Sequence, residues 1–299
     1  MKFGHLEDIS SIDFSLPSDH SITAKVLSNK PARQVKVYAG CPVWADKGFM
    51  GRIYPKGTKA KDYLKVYATQ FNAIELNATG YQIPTKEEVR AWTSVVPKGF
   101  VFCPKISQPI SHVRPLAKDR EALNRFCDAM HQFGKHLGTV FLQLHPSFAP
   151  ARFDDLLNFF DIWDTSLPLH IELRHPDWFS DPKLQTKLFA EMRKRKIGTV
   201  ITDTAGRRDA VHQGLTTRSA FIRFDGNDLH RTDLTRIDEW AAHIKNWIDH
   251  GLREVYFFPH TTAKYLNPEL SNYFLMRINQ LHGSSYTLAT ITEKRNSAD

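Results

Sequence analysis

Residues 169–178 read Leu-His-Ile-Glu-Leu-Arg-His-Pro-Asp-Trp, and this stretch decides the fold because a short apolar run ends in a cluster of polar side chains. The run Leu169–Arg174 has the length and composition of a strand buried on both faces, as in a parallel sheet. Glu172 and Arg174 lie two positions apart, so their side chains project from the same face of that strand. The stretch therefore predicts a parallel strand with functional groups at its carboxyl end.

Similar runs are spread along the chain, and each has the length of a strand and is rich in Val, Ile, Phe or Leu. They are Val35–Gly40, Ala73–Asn77, Phe100–Lys105, Val140–Leu144, Gly198–Thr202, Ala220–Asp225 and Glu254–Phe258. Amphipathic helical stretches follow most of them, at Ala60–Gln70, Lys86–Ser94, Arg120–His136, Phe153–Trp163, Pro182–Lys194, Ile237–His250 and Pro268–His282. Eight alternations in about 250 residues favour a single α/β domain, a TIM-type (β/α)8 barrel with irregular or imperfect closure allowed, over an open doubly wound sheet.

The ends of the chain lack this alternation. Residues 1–32 carry Ser, Asp and Pro without sustained periodicity, and they are predicted to form a flexible, loosely attached arm. Residues 284–299 end in a polar run and are predicted to be a flexible tail. The barrel domain is therefore predicted to span residues 33–283.

Composition limits the class of protein without naming a function. The 299 residues are 41% hydrophobic and 24% charged, with a net charge of +8, which favours partners that carry phosphate, although an ordinary basic protein has the same balance. Cys41, Cys103 and Cys127 are widely spaced and match neither a disulfide framework nor a structural zinc site. With no signal peptide and no membrane span predicted, a cytoplasmic location is expected.

Polar or titratable residues stand at the downstream end of every predicted strand. In chain order they are Cys41 with Trp44, Glu75 and Asn77, Lys105, Gln143 and His145, Glu172 with Arg174 and His175, Asp203, Arg223 and Asp225, and His260. The carboxyl ends of parallel barrel strands form one face, and barrel enzymes build their sites there. The sequence therefore predicts a shared site at this face.

Three residues are predicted to be catalytic, namely Glu75 and Glu172 as base and acid and His175 as a proton carrier near neutral pH. The predicted substrate-binding residues are Trp44, Asn77, Lys105, Gln143, His145, Arg174, Trp178, Asp203 and Arg223. Among these, Lys105 and Arg174 would hold an anion, and Trp178 would offer a flat surface to a sugar or base. The structural alternative is that Glu75, Glu172 and Arg174 simply form buried ion pairs.

Cofactor chemistry has little support in the sequence. No cofactor is predicted, because the chain has no phosphate-binding loop, no dinucleotide fingerprint and no nucleophile elbow. A divalent metal is a minor alternative, in which His145, His260 and Asp203 would act with the two glutamates. A desolvated Lys105 would be able to form a Schiff base, for which the sequence gives no second indication.

Several motifs in order along the chain resemble the YecE-like family, a domain of unknown function (number 72). They are Gly40–Trp44, Ile53–Pro55, Ile74–Thr79, Phe100–Phe102 with Lys105 and His112, Phe141–Leu144 and Glu172–Trp178. The resemblance runs from about residue 35 to 282, and the Glu-x-Arg-His-x-x-Trp segment is its most specific part. It implies a TIM-type barrel in the cytoplasm and no established reaction.

The chain departs from the usual pattern of that family at four places. Gly80 stands where an aromatic residue normally precedes Tyr81, and His145 stands where the family tends to have proline. Asp225 replaces a common histidine, and His260 ends a segment that usually reads Phe-Asn-Asn. These changes indicate an altered ligand at the late strands.

Three functions remain open at this point. The first is binding of an anionic small molecule, such as a phosphorylated sugar, with acid–base chemistry of the isomerase, lyase or hydrolase kind. The second is nucleic-acid binding or metal-assisted phosphodiester hydrolysis, by analogy with nucleases built on similar barrels. The third is a non-catalytic binding protein. The substrate and the oligomeric state are not predicted.

Overall fold

The computed structural model describes residues 3–28 and 30–292, and within them parallel strands alternate with helices along the chain. The strands are β1 Lys36–Ala39, β2 Ala73–Leu76, β3 Val101–Pro104, β4 Val140–Gln143, β5 Leu169–Glu172, β6 Gly198–Asp203, β7 Ser219–Asp225 and β8 Glu254–His260. The α/β class predicted from the sequence is therefore confirmed.

The helices follow the predicted amphipathic stretches closely. They are α1 Ser21–Val26, α2 Tyr63–Gln70, α3 Lys86–Ser94, α4 Gln108–Ser111, α5 Arg120–His131, α6 Phe153–Ile162, α7 Asp177–Ser180, α8 Pro182–Lys194, α9 Arg231–Asp249 and α10 Asn267–His282. Helix α9 begins earlier than predicted because the His230 side chain caps it, accepting a hydrogen bond from the Thr232 amide at 3.3 Å. The stretch predicted to be helical as far as His136 ends its α-helix at His131.

Two groups of hydrogen-bonded strands make up the sheet. Six strands pair in the order β1-β8-β7-β6-β5-β4, and β2 pairs with β3, all in parallel. Isolated parallel bridges, Lys105 with Phe141 and Phe102 with Leu137, connect β3 to β4. The arrangement is consistent with an α/β barrel whose eight described strands lie in sequence order around the axis.

Strands β1 and β2 meet through a side chain instead of a regular ladder, at a place we call the β1–β2 seam. The Asn72 amide accepts a hydrogen bond from Ala39 N at 2.9 Å and donates one to Val37 O at 2.8 Å. Past them, Glu75 N donates to Cys41 O at 3.3 Å. A Cβ atom at Gly40 would collide with the Ala73 carbonyl, so only glycine allows this close approach.

Period-2 alternation sorts the strand residues into layers inside the barrel. The inner hydrophobic layer contains Ala73, Val101, Cys103, Phe141, His170, Val200, Phe221, Tyr256 and Phe258. Two positions further along the strands, the inward residues are polar: Glu75, Lys105, Gln143, Glu172, Thr202, Arg223 and His260. The hydrophobic layer thus forms the floor of a polar layer at the carboxyl end of the strands.

Residues 3–28, which we call the N-terminal segment, pack against the barrel. The Phe14 ring lies 4.6 Å from the Arg236 guanidinium, and Thr23 Oγ1 donates to Gln213 O at 2.8 Å. Asp19 accepts hydrogen bonds from the Trp247 indole at 3.0 and 3.1 Å. The sequence predicted a loosely attached arm here, whereas the described residues of this segment make specific contacts with the barrel.

The chain after α10 also runs along the barrel. Tyr286 Oη accepts a hydrogen bond from Val37 N at 3.1 Å and donates to Val35 O at 3.0 Å, and Ala289 is buried. The last part of the predicted tail, residues 293–299, lies outside the described residues. Among the described helices, none combines the length and the hydropathy that crossing a bilayer requires.

Candidate functional site

Arg223 lies at the centre of the polar layer and joins two carboxylates from other strands. Its Nε and Nη2 donate to Glu75 Oε2 and Oε1 at 3.0 and 2.9 Å, and its Nη1 donates to Glu172 Oε2 at 2.7 Å. Both carboxylates are 0% exposed and the arginine is only 3% exposed. A two-pronged guanidinium contact of this kind is strong and geometrically specific.

Each carboxylate has further hydrogen-bond donors. Asn77 Nδ2 donates to Glu75 Oε1 at 2.8 Å, and His260 Nε2 lies 3.1 Å from Glu75 Oε2. These groups come from the two strands β2 and β8, with β7 contributing the arginine. The predicted convergence of Glu75 and Asn77 on one face of β2 is therefore present.

Glu172 is surrounded in the same way. Arg174 Nε donates to its Oε1 at 2.8 Å, Gln143 Nε2 donates to its Oε2 at 2.8 Å, and Thr202 Oγ1 donates to its Oε1 at 3.2 Å. With Arg223, the carboxylate has donors from four strand ends. Such complete pairing is what allows a charge to be buried at modest cost.

The two glutamates are held in their ionised form. Burial alone would raise the pKa of Glu172, but the charges of Arg174 and Arg223 outweigh it and lower that pKa to about 2. Burial opposes ionisation of Glu75 too, and Arg223 with His260 holds the pKa of Glu75 well below its usual range. A carboxyl group with a lowered pKa and no exposed surface is poorly suited to be the predicted general acid.

Lys105 differs from the arginines around it. Its Nζ donates to the neutral Gln143 Oε1 at 2.6 Å, and within the described chain no second protein acceptor lies within hydrogen-bond distance of this amine. Burial, followed by the neighbouring charge of Arg223, lowers the pKa of Lys105 to about 8. Lys105 therefore loses its proton more readily than an ordinary lysine.

A cavity of about 490 Å³ opens above these residues, and we call it the mouth pocket. It is lined by Pro42, Val43, Trp44, Ala45, Ile74, Leu76, Asn77, Ala78, Tyr81, Lys105, Gln143, Arg174, Arg223, His260 and Lys264. The lining combines apolar and aromatic side chains with four cationic residues, Lys105, Arg174, Arg223 and Lys264. Glu75 and Glu172 lie beneath the pocket and do not line it.

Besides Glu75 and Glu172, four other predicted site residues do not line the pocket. Trp178 is fully buried in the hydrophobic core and donates its indole hydrogen to Phe148 O at 2.6 Å, so it offers no surface to a ligand. His175 faces Asp177, with Nδ1 3.6 Å from Oδ2. His145 packs edge-on against His112 at the outer rim, with ring centres 5.3 Å apart.

Asp203 is the fourth of these residues, and it belongs to a separate buried network. It forms ion pairs with Arg208 and Arg236 and accepts a hydrogen bond from the Trp240 indole at 2.7 Å. Its side chain points towards α9, away from the mouth pocket, because Thr202 takes the inward position on β6. The prediction that Asp203 contacts substrate therefore finds no support in this geometry.

Among the lining residues that were not predicted from the sequence, Tyr81 and Lys264 are the two with an aromatic or charged side chain. Tyr81 is 75% exposed at the rim, and Lys264 follows β8 in a short 3-10 helix. Both lie several positions past a strand end, where alternation no longer fixes direction. The sequence offered one indication of them, namely an aromatic residue and a lysine in the connections that follow two strands.

Metal ligands are not gathered at the mouth pocket. Among the residues that the structure describes, no group of three or more His, Cys, Asp or Glu side chains is arranged to hold an ion. The donor set at the pocket consists mainly of nitrogen cations and amides, which suit anions.

The fold and the site together define an α/β barrel protein with a basic pocket at the carboxyl ends of its strands. The chain belongs to the family described as protein of unknown function DUF72, whose model matches residues 38–294. The YecE-like resemblance seen in the motifs is thereby confirmed.

Curated relatives share this family and carry no described activity in their names. The UPF0759 protein YecE of Escherichia coli K12 is 28% identical over 253 residues, which cover 78% of this chain and 89% of that protein. The UPF0759 protein YunF of Bacillus subtilis strain 168 is 22% identical over 236 residues, covering 70% and 83%.

A solved structure supports the fold. A DUF72 family protein from Enterococcus faecalis V583 superposes with a TM-score of 0.65 at 17% identity, covering 84% of this chain and 99% of that one. The likeness shows a shared fold.

Proposed function

We propose that this protein binds a small anionic molecule, of the size of a sugar phosphate or an organic acid, in the mouth pocket. We further propose that Lys105 performs acid–base chemistry on it. The observation that carries the proposal is the position of the Lys105 amine, which lies in the same cavity as Arg174 and Arg223.

The balance of charge at the pocket favours an anion. Lys105, Arg174, Arg223 and Lys264 line the cavity, while the two carboxylates that offset them are buried underneath and already hydrogen-bonded. Cations that face a partly desolvated cavity attract phosphate or carboxylate more strongly than cations in open water.

The size and the apolar wall favour a small molecule. A volume of about 490 Å³ lies within the range of small-molecule sites. Trp44 and Tyr81 contribute aromatic surface to the lining, on which the carbon skeleton of a sugar or acid would pack. A ligand with one charged end and one apolar or hydroxylated end matches this mixed lining.

The roles differ from those assigned from the sequence. Glu75 and Glu172 hold Arg223 and Arg174 in place, and we assign them positioning roles. A general acid or base works best when its pKa is near the working pH, and the value of about 8 for Lys105 meets that condition. His175 faces away and takes no part in this proposal.

The test is calorimetric binding of inorganic phosphate, a hexose phosphate and the matching uncharged hexose. We expect the hexose phosphate to bind, and Lys105→Met to weaken that binding at least about tenfold, the effect of losing one charge-assisted contact. Lys98→Met is the matched control, because this exposed lysine precedes β3 at the opposite end of the same strand.

The pH dependence has a definite sign. An anion favours protonated Lys105, so we expect its affinity to fall as pH rises through about 8. Failure of every small anion in a chemically diverse panel to bind would overturn the proposal, and so would equal affinities for the wild type and Lys105→Met.

A further inference from the structure

We propose that the ligand is a carbonyl-bearing anion, such as a keto acid or an open-chain sugar phosphate, and that Lys105 forms an imine with its carbonyl carbon. This inference rests on the proposed function and narrows its substrate class. It assigns Lys105 a covalent role in addition to proton transfer.

The first support is that the amine is held in one position. Thr79 Oγ1 donates to Lys105 O at 2.8 Å and fixes the backbone, while Gln143 fixes the Nζ end at 2.6 Å. Between these points the side chain crosses Gly80, where a Cβ atom would lie 2.9 Å from the Lys105 Cδ. Because Gly80 has no side chain, it leaves room for the Lys105 side chain to reach the cavity.

The second support is the set of groups around the amine. A lysine paired with a carboxylate stays protonated and is a poor nucleophile, but Lys105 donates to a neutral amide. Glu172 and Glu75, the carboxylates that influence it, direct their oxygens to Arg174, Arg223, Asn77 and His260. Burial, Arg223 and Arg174 favour the free amine and outweigh the opposite effect of Glu172 and Glu75 on the pKa of Lys105. Burial also lowers the pKa of the neighbouring His112, which favours its neutral form.

The third support is an anchor for the anionic end. Arg174, two residues past β5, and Arg223 on β7 line the same cavity as Trp44 and Leu76. A carboxylate or phosphate bound to these guanidinium groups would bring its adjoining carbon atoms into the cavity that Lys105 also lines. Lys264 also lines the cavity, but it lies in a 3-10 helix at the rim instead of at a strand end.

The step balances without a redox partner. The free amine adds to the carbonyl carbon, and the C–O double bond becomes a single bond in a carbinolamine. The oxygen takes one proton from the attacking nitrogen and a second from solvent. The nitrogen lone pair then forms the C–N double bond, and the oxygen leaves as water. Overall, lysine ammonium and carbonyl give a protonated imine and water, and hydrolysis reverses the step.

The experiment traps the imine by reduction. The full-length protein is incubated with pyruvate or glyceraldehyde 3-phosphate and sodium cyanoborohydride, and modified peptides are located by mass spectrometry. We expect Lys105 to gain the probe's reduced mass at least about tenfold faster than the exposed Lys98, and Lys264 to stay near the level of Lys98. The rate at Lys105 should rise with pH through about 8, because only the free amine attacks.

Competition and substitution sharpen the result. Inorganic phosphate has no carbonyl and should slow labelling of Lys105 by occupying the anion site. Lys105→Arg keeps a positive charge but forms no imine, and it should lose the fast adduct. Even labelling of all surface lysines, or no fast adduct at Lys105 with either probe, would overturn the inference.

The two proposals fail separately. If hexose phosphate binds and Lys105→Met weakens it, but no carbonyl probe is trapped, anion binding stands and imine formation is wrong. If no anion binds and no probe is trapped, both are wrong. If trapping is fast but phosphate offers no protection, the carbonyl chemistry stands without the anion anchor.

Discussion

Single residues decide how charge is tolerated inside this barrel, and Arg223 is the clearest case. It makes hydrogen bonds with two fully buried carboxylates from β2 and β5. Removing one partner from such a group leaves buried charges unpaired, which costs far more than the pair itself contributes. The arrangement holds the pocket floor rigid and keeps both glutamates ionised.

Replacement of that arginine should therefore be severe. We expect Arg223→Met to lower the free energy of unfolding by about 3–5 kcal/mol, since Glu75 and Glu172 lose their shared counter-charge. Urea denaturation measures this change. Lys36→Met is the control, because the exposed Lys36–Glu254 pair, 3.8 Å apart, should contribute less than about 1 kcal/mol. Equal effects of the two substitutions would contradict this assignment.

His170 is expected to make the stability of the fold depend on pH. It is buried in the hydrophobic layer, where Thr139 Oγ1 is 2.8 Å from its Nδ1, and burial lowers its pKa to about 4. The unfolded chain binds a proton near pH 6.5, so stability should fall as pH drops from about 6.5 to 4, by up to about 3 kcal/mol from this residue.

Unfolding measured by denaturant at pH 4.5, 5.5 and 7 tests that expectation. His212 is also held neutral by burial, with its pKa lowered to about 4, so it contributes with the same sign. His170→Gln should flatten the dependence on pH, whatever it does to stability at pH 7. An unchanged slope would show that His170 does not titrate as inferred.

At the scale of elements, apolar runs were enough to place the strands, and alternation was enough to place Glu75, Glu172 and Arg223 in one layer. Each strand is buried on both faces, so its sequence signal is strong. The prediction treated Asp203 as facing the pocket because it stands at the end of β6. Alternation along β6 instead makes Thr202 the inward residue and turns Asp203 outward. Trp178 lies in α7, beyond the point where a strand pattern sets direction.

The N-terminal segment was also underestimated, because its contacts are with distant residues and leave no local pattern. The Phe3 ring packs against two guanidinium groups, with its centre 4.5 Å from that of Arg174 and 4.9 Å from that of Arg207. Arg174 lines the mouth pocket, so this segment supports one of the proposed anion-binding residues.

That contact leads to a prediction about ligand affinity. We expect Phe3→Ala to weaken hexose phosphate binding about two- to fivefold, the value of a cation–π contact of 0.5–1 kcal/mol. Phe14→Ala is matched to it, since Phe14 packs on Arg208 and Arg236 away from the pocket. Calorimetry should show a loss of affinity in the first variant and unchanged affinity in the second.

For the whole molecule, the excess of positive charge is not confined to the mouth pocket. At the opposite end of the strands, a shallow cavity of about 690 Å³ is lined by Lys30, Arg33, Lys36, Arg218 and Arg253, with Glu254 among them. This surface explains part of the net charge of +8 and gives the nucleic-acid hypothesis a location of its own.

Salt dependence separates the two hypotheses. If the basic end binds polyanions, a duplex oligonucleotide should bind more weakly as salt increases, with equal affinity for the wild type and Lys105→Met. Fluorescence anisotropy at 50 and 200 mM salt measures this. Competition of the oligonucleotide by hexose phosphate would instead place nucleic acid at the mouth pocket.

The β1–β2 seam has a consequence for ligand binding. Pro42 and Trp44 follow β1, whereas Leu76 and Asn77 close β2, so the cavity has walls on both sides of the one junction that relies on the Asn72 amide. A bound molecule would contact the ends of both β1 and β2, which share few backbone hydrogen bonds. Occupancy should therefore slow hydrogen exchange at the Ala39 and Glu75 amides, so this junction would report whether the cavity is filled.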